Sequence, residues 1–339
     1  MRKIVLLACA MACLAASCAR QDRLPRADPA RTGIDTSEYH NVVSAVTSRA
    51  TDELHSLMVV KGGEVLYERY QPGFDAQSLK VLWSASKSFT STAVGLAVGD
   101  GKLHLDDKAV SFFTPEELPD TLSDWLQQMT VEDLLKMSSG FKQDHVGRCC
   151  SGEDFDWAKT ILATEQFFEP GTLFSYNSMN SYLLSAIFSR ATGEDVSTCL
   201  KRRVFAPLGI REDVWTYSPQ GIFAGGWGLF LSTESLAKMG MLYARAGVWN
   251  GRRILPEGWA AQAGAPQILQ DPSGRNPEND WAAGYGYHFW TCRHGFRMDG
   301  AHGQLVIILP EKDAVVVLTG FTDATTEMNA VWKYIYPTL

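Results

Sequence analysis

The chain is 339 residues long, is 45% hydrophobic and carries a formal net charge of −7. This length and this apolar content allow one large globular domain or two smaller ones. The negative charge, together with the absence of any basic run in the sequence, argues against a nucleic-acid partner.

The amino terminus predicts export from the cytoplasm. A basic start precedes an apolar run over residues 4–16, which is too short to span a bilayer as a mature helix and is typical of a signal peptide. The sequence Leu-Ala-Ala-Ser-Cys that ends at Cys18 resembles a bacterial lipobox, although Ala15 stands where Leu is usual. We therefore predict a signal peptide over residues 1–17 and a lipid on Cys18. The alternative is signal-peptidase cleavage nearby and a soluble periplasmic protein.

A short segment separates this start from the folded part. Residues 18–36 contain two prolines and several charges but no apolar periodicity, which predicts a flexible tether. The folded domain is then expected over residues 37–339. We expect it on the periplasmic side of a bacterial envelope, in contact with the membrane only through the N-terminal lipid.

Strand signals stand at both ends of the folded part. Residues 57–68 and 304–318 each read as two apolar runs around a turn, which predicts two hairpins, and residues 284–290 are a further strand candidate. Between and after them the pattern is mostly helical, with helices expected at 84–98, 130–135, 179–190, 233–246 and 328–336. The arrangement predicts an α+β domain in which one antiparallel sheet, built from both chain ends, packs with helices around a mainly helical middle region.

The first candidate for chemistry is the pair Ser84 and Lys87. Residues three apart share a helix face, so the hydroxyl and the amine lie within reach of each other, and an adjacent base makes serine a nucleophile. A helix N-terminus also favours a developing anion. The plain alternative is a helix N-cap with an exposed lysine, and the same spacing recurs at Ser235 and Lys238 in what looks like an ordinary helix.

Two further segments carry candidate groups. Tyr176 stands in a loop before a helix, where its phenol could pass a proton to a leaving group, with ionisation made easier by a nearby lysine. Residues 300–304, Gly-Ala-His-Gly-Gln, lead into a strong strand, and glycines there let backbone N–H groups approach an oxyanion. The plain alternatives are a core tyrosine and a simple turn.

Four cysteines follow the tether. Cys149 and Cys150 are adjacent, so a disulfide between them would be strained, whereas a bridge from either to Cys199 or Cys292 is left open. His145 near the pair suggests zinc, but the second spaced ligand cluster of a zinc site is missing. We therefore expect no metal.

Together these segments resemble the serine beta-lactamase-like superfamily, which includes class C beta-lactamases, D-alanyl-D-alanine carboxypeptidases, related esterases and aminohexanoate-dimer hydrolases. The resemblance covers roughly residues 38–338. It implies the beta-lactamase/transpeptidase-like fold and makes the Ser235–Lys238 spacing a coincidence. Further matching stretches are residues 134–140, 207–210, 225–229, 247–251 and 255–259.

The resemblance also implies roles for individual residues. Ser84 would be acylated, with Lys87 as its general base and Tyr176 as the partner acid/base. The backbone N–H groups of Ser84 and Gln304 would form the oxyanion hole. No cofactor is implied, and the partner is a small ester, amide or peptide-like substrate. The implied substrate-binding residues are Ser178, His302, Gly303 and Trp227.

Two departures from the family pattern narrow the substrate. Ser178 replaces the usual Asn, which shortens a contact to a substrate amide. Ala301 stands where beta-lactamases often have Lys, so a cation that would hold a substrate carboxylate is lost. We therefore expect a serine hydrolase of esters or small amides. The alternatives are a beta-lactamase or D-alanyl-D-alanine carboxypeptidase, and a non-catalytic envelope binding protein of the same fold.

Overall fold

The computed structural model describes residues 23–339. The predicted signal peptide and Cys18 lie outside the described residues. In the described part, the strands are β1 (Glu53–Lys61), β2 (Glu64–Tyr70), β3 (Lys80–Val81), β4 (Val214–Trp215), β5 (Leu229–Leu231), β6 (Val248–Trp249), β7 (Arg252–Arg253), β8 (Trp290–Cys292), β9 (Gly295–Gly300), β10 (Gln304–Leu309) and β11 (Ala314–Phe321).

The helices of the described part fill the space between the strands and cover the sheet. They are α1 (Pro29–Thr32), α2 (His40–Val46), α3 (Ser86–Gly99), α4 (Asp124–Gln128), α5 (Val131–Leu135), α6 (Val146–Cys149), α7 (Trp157–Leu162), α8 (Ser178–Thr192), α9 (Val196–Leu200), α10 (Ala206–Leu208), α11 (Thr233–Ala244), α12 (Trp259–Gly264) and α13 (Ala324–Tyr334). The helices predicted from the sequence are confirmed as α3, α5, α8, α11 and α13.

A six-stranded antiparallel sheet lies at the centre, in the order β2-β1-β11-β10-β9-β8. β1 from the first hairpin pairs with β11 from the last one, so the sheet is built from both chain ends, as predicted. Two small sheets, β3-β5-β4 and β6-β7, lie outside it. The α+β fold expected from the sequence is thus confirmed.

Both faces of the sheet are covered, which explains why its central strands are apolar at almost every position. Alternate residues of a strand point to opposite faces. Val60 and Val317 pack in the core that contains α3 and α11, whereas Val59 and Leu318 pack in the core that contains α2 and α13. β1 and β11 are therefore held between two helical layers.

The strand predicted over residues 284–290 is wrong. Only Trp290 of that run belongs to a strand, β8. His288 has φ 62°, in the left-handed region that an extended strand excludes. Tyr285, Tyr287 and Phe289 are buried, so the apolar character of this run reflects core packing.

The end of the expected tether is packed against the domain. Leu24 is buried, and Arg26 forms a parallel bridge with Val65 of β2. The Arg26 guanidinium donates to the carboxylates of Glu68 at 2.8 Å and Glu234 at 3.0 Å. The ordered part therefore reaches further upstream than residue 37. The sequence does not reveal this, because one buried leucine and one ion-pair network leave no periodic pattern.

The structure also bears on two other expectations. The four cysteines at positions 149, 150, 199 and 292 are unpaired thiols. Among residues 23–339, no helix has both the length and the apolar character needed to cross a membrane.

Candidate active site

Ser84 lies in a 3₁₀ turn, Trp83–Ala85, that leads directly into α3. Leu82 before it donates its backbone N–H to Leu229 at 2.9 Å, and Ser86 after it accepts from the Leu229 N–H at 3.2 Å. The turn is therefore fixed on both sides by β5. Trp83 has φ 47°, a strained value for a bulky residue, of the kind that clusters at functional sites.

Lys87 points from the first turn of α3 to the Ser84 side chain. Its amine donates to Ser84 Oγ at 3.0 Å, to the Gly226 carbonyl at 2.9 Å and to Ser178 Oγ at 3.3 Å. The side chain is 1% exposed. Burial lowers the pKa of Lys87 to about 7, although attraction to Asp144 opposes this shift. The free amine, which can accept a proton, is therefore well populated at neutral pH.

Tyr176 is the third group of this cluster. Its hydroxyl interacts with the Ser84 side chain, an interaction that lowers the pKa of Tyr176, and Lys87 Nζ lies 4.9 Å from its ring centre. The ring stacks on Trp290 at 5.8 Å and meets Tyr285 edge-on at 6.2 Å. Burial raises the pKa of Tyr176 well above its usual value. The expectation that a nearby lysine eases ionisation is not met, because burial is the largest influence on this pKa, so the Tyr176 hydroxyl keeps its proton.

Ser178 connects the loop after Tyr176 to α8. Its backbone N–H donates to Asp144 Oδ2 at 2.8 Å, while its hydroxyl accepts from Lys87. The preceding Asn177 caps the helix by accepting from the Met179 N–H at 2.9 Å. Ser178 thus helps to hold the Lys87 amine at a helix N-terminus, which is a further role beside the predicted contact with substrate.

The third predicted segment, residues 300–304, lies beside the turn that carries Ser84. A Cβ built on Gly300 would lie 2.1 Å from the Leu82 carbonyl oxygen and 3.2 Å from the Ala85 nitrogen, so the end of β9 abuts the turn that carries Ser84. Gln304 pairs with Gly300 from the next strand, β10, and is buried. Ala301 directly follows Gly300 and is exposed. Because Ala301 directly follows this contact and is exposed, whereas Gln304 is buried, the Ala301 N–H is the better candidate for the second oxyanion donor.

The other predicted substrate-binding residues fall into two groups. His302 is exposed in the β9–β10 turn, with its ring 5.7 Å from that of Trp83. Gly303 instead faces the protein interior, since a Cβ there would lie 2.5 Å from Glu327 Oε1. Trp227 is 8% exposed and stacks on Trp157 at 5.6 Å. The structure thus brings His302 to the site and gives Gly303 and Trp227 packing contacts.

The second serine–lysine spacing lies elsewhere. Ser235 is in the first turn of α11, where its hydroxyl contacts the N-cap residue Ser232 at 2.9 Å. Lys238 donates to the Gly209 carbonyl at 3.2 Å. This geometry is that of an ordinary capped helix.

One buried group behind Lys87 was missed by the sequence analysis. His288 lies between the Leu135 carbonyl and the Ser181 hydroxyl, each 2.9 Å from a ring nitrogen. Burial, reinforced by the nearby Lys87 cation, lowers the pKa of His288 to about 3. The imidazole is therefore neutral at neutral pH and adds no second positive charge to the site.

Comparison with known proteins gives the family. The beta-lactamase family profile matches residues 51–334, and the chain belongs to this family of beta-lactamase-fold hydrolases. It is 26% identical over 296 residues to the 6-aminohexanoate-dimer hydrolase of Paenarthrobacter ureafaciens, a match that covers 80% of this chain and 74% of that protein. The resemblance inferred from the motifs is thereby confirmed.

Two other known proteins are similar to this chain. Penicillin-binding protein 4 of Amycolatopsis lactamdurans is 23% identical over 304 residues, which cover 79% of this chain and 76% of that protein. The solved structure of the octameric penicillin-binding protein homologue from Pyrococcus abyssi superposes with a TM-score of 0.67 at 19% identity, over 87% of this chain and 76% of that one. This structural likeness confirms the fold.

Proposed function

We propose that the protein is a serine hydrolase that forms an acyl-enzyme on Ser84 and hydrolyses an ester or a small amide. The observation that carries the proposal is the buried Lys87 amine, 3.0 Å from the Ser84 hydroxyl and with a pKa lowered to about 7. A base with such a pKa is matched to work at neutral pH. Burial of the Lys87 amine destabilises its charged form, and such strongly shifted lysines are typical of catalytic sites.

Acylation uses the three side chains and two backbone amides. The free amine of Lys87 takes the Ser84 proton while Ser84 Oγ bonds to the substrate carbonyl carbon. The carbonyl electron pair moves onto oxygen, and the N–H groups of Ser84 and Ala301 donate to this oxyanion. When the pair re-forms the carbonyl, the bond to the leaving group breaks. The proton held by Lys87 reaches the leaving group through the Tyr176 hydroxyl, which gives one proton and gains one.

Deacylation repeats this sequence with water as the nucleophile. The Lys87 and Tyr176 pair removes one proton from water as its oxygen bonds to the acyl carbon. The second oxyanion occupies the same two amides. Its collapse breaks the bond to Ser84 Oγ, which takes back the proton, and a carboxylic acid is released.

The substrate class follows from what surrounds Ser84. The turn at residues 301–303 has no lysine or arginine that would hold a substrate carboxylate. Ser178 also reaches less far than the amide side chain usual at that position. These two features favour a neutral ester or small amide. The penicillin-binding relative keeps beta-lactam or D-alanyl substrates as the second candidate.

A covalent label tests the nucleophile. A fluorophosphonate probe should label the wild type, and Ser84→Ala should abolish both labelling and hydrolysis of p-nitrophenyl acetate. Ser235→Ala is the matched control and should keep both. Labelling that survives Ser84→Ala but is lost in Ser235→Ala would place the nucleophile on α11 and end the proposal.

A second assay separates the two substrate classes. Nitrocefin turnover should be weak or absent under conditions in which p-nitrophenyl acetate is hydrolysed at a measurable rate. Nitrocefin hydrolysis as fast as ester hydrolysis would reverse the order of the two candidates.

The site of action is also a proposal. From the apolar run and Cys18 we propose that the mature chain begins at a lipidated Cys18 on the periplasmic side of the envelope. Mass spectrometry of protein from the membrane fraction should find a diacylglyceryl-modified N-terminus, and an unmodified N-terminus downstream of Cys18 would exclude it.

A further inference from the structure

Three exposed rings lie in contact next to Ser84. Trp83, the residue before the nucleophile, is 38% exposed, and its indole meets the His302 ring edge-on at 5.7 Å. His302 stacks on Phe321 at 4.4 Å with only 12° between the ring planes, and Phe321 is 52% exposed. We call Trp83, His302 and Phe321 the aromatic rim.

The aromatic rim is held by the backbone beneath it. The Gln304 side-chain amide donates to the His302 carbonyl at 3.0 Å and to the Gly320 carbonyl at 2.8 Å. It therefore ties the β9–β10 turn to the end of β11, where Phe321 stands. The Thr322 N–H also donates to the His302 carbonyl at 3.3 Å. This framework orders the rings before any ligand arrives, so binding to them has a small ordering cost.

The rim has the character of a binding surface for a flat apolar group. Large aromatic side chains left partly in water gain from covering by apolar surface, and rings prefer stacked or edge-on partners. Trp83 is held in the left-handed region at φ 47°. Strain of this kind is maintained at sites where a side chain must point in one direction.

The order of the strands decides which part of a substrate reaches the rim. Phe321 ends β11 and His302 lies in the β9–β10 turn, whereas Tyr176 stacks on Trp290 of β8. Gly300, which abuts the turn of Ser84, ends β9, between these two sides. The rim and Tyr176 thus flank the nucleophile from opposite sides. Since Tyr176 gives its proton to the leaving group, the leaving group lies on the β8 side and the acyl group on the rim side.

We infer that the aromatic rim binds the acyl part of the substrate, and that the preferred substrates are esters or small amides of arylacetic acids or similar acids with a flat apolar group near the carbonyl. This inference rests on the proposed function. It gives Gln304 a positioning role in place of the oxyanion role expected from the sequence.

Two isomeric esters test the inference with the full chain. Methyl phenylacetate carries its phenyl ring on the acyl side and benzyl acetate carries it on the alcohol side, while their leaving alcohols have similar acidity. We expect kcat/KM to favour methyl phenylacetate by about tenfold, the upper range of what one aromatic contact supplies. His302→Ala and Phe321→Ala should each reduce this ratio at least threefold. Trp125→Ala, which removes an equally exposed indole from α4, should leave the ratio unchanged.

The ratio of two substrates on one sample does not depend on how much of a variant is folded. A preference for benzyl acetate, or a ratio that neither rim variant changes, would overturn the inference. Hydrolysis of neither isomer by a protein that still labels at Ser84 would also overturn it and leave the proposed function standing. Absence of both hydrolysis and labelling would remove the proposed function itself.

Discussion

The Lys87 amine and the Ser84 hydroxyl lie 3.0 Å apart, with Lys87 only 1% exposed to solvent. Protonated Lys87 cannot take the Ser84 proton, so activity depends on the fraction of free amine. Since burial lowers the pKa of Lys87 to about 7, we expect kcat/KM for p-nitrophenyl acetate to fall about tenfold per pH unit well below pH 7 and to level off above it. A flat profile between pH 5 and 9 would contradict this role of Lys87.

Asp144 allows a second test of the same pH dependence of kcat/KM. Its charge raises the pKa of Lys87 and so opposes the effect of burial. Asp144→Asn should therefore move the acidic limb of the kcat/KM profile to lower pH. Lys142→Met, a change two residues away on an exposed side chain, is the control and should leave the limb in place.

Tyr176→Phe should depress the rate without disturbing the fold. The variant keeps the ring that stacks on Trp290 and loses only the hydroxyl that interacts with Ser84. Removal of one general acid/base costs about 10²–10⁴-fold in kcat. Tyr182→Phe, which removes a buried hydroxyl bonded to Ser218 at 3.1 Å, is the matched control and should keep kcat within about threefold of wild type. An equal loss of kcat in the two variants would mean that the Tyr176 hydroxyl contributes only to packing.

Ala301→Pro tests the oxyanion assignment directly, because proline has no backbone N–H. Loss of one oxyanion donor costs about 10²–10³-fold in kcat, and we expect a loss of that size. Ala301→Val keeps the N–H and should retain most of the activity. Near-normal turnover by a folded Ala301→Pro protein would return the assignment to another amide.

The sequence predicted the elements of the site better than their fine geometry. Ser84 and Lys87 could be found because three-residue spacing at a helix start is local information and because the family resemblance distinguishes this pair from Ser235 and Lys238. The position of Ala301 could not, since it depends on how the end of β9 meets the turn of Ser84, a contact between segments more than 200 residues apart. A motif that contains two glycines close together does not reveal which of them abuts the nucleophile.

The same limit explains what was missed around Lys87. The Gly226 carbonyl lies within a stretch that the family resemblance had marked, yet a backbone acceptor leaves no signal in the side chains. In the sequence, Asp144 looks like an ordinary loop residue and His288 looks like part of an apolar core segment. The run at residues 284–290 resembles a strand because aromatic residues are typical of strands, whereas here the packing of the tertiary core selects them.

The buried amine should also leave a signature in stability. The pKa of Lys87 falls from its usual 10.5 to about 7 on folding, so between these values the unfolded chain binds a proton that the native protein does not. The free energy of unfolding of the wild type should then rise with pH in this window relative to a variant without the amine, by up to about 1.4 kcal/mol per unit. Chemical unfolding of wild type and Lys87→Met from pH 6 to 10 measures this difference, in which other titrating groups cancel.

The free energy of unfolding of Lys87→Met should exceed that of the wild type by the largest amount at or below pH 7, and this difference should shrink towards pH 10. Lys142→Met, at a lysine that is 63% exposed and paired with Glu165, should give a nearly constant difference. A constant difference for Lys87→Met as well would show that its amine titrates alike in both states, and the general-base assignment would lose its physical basis.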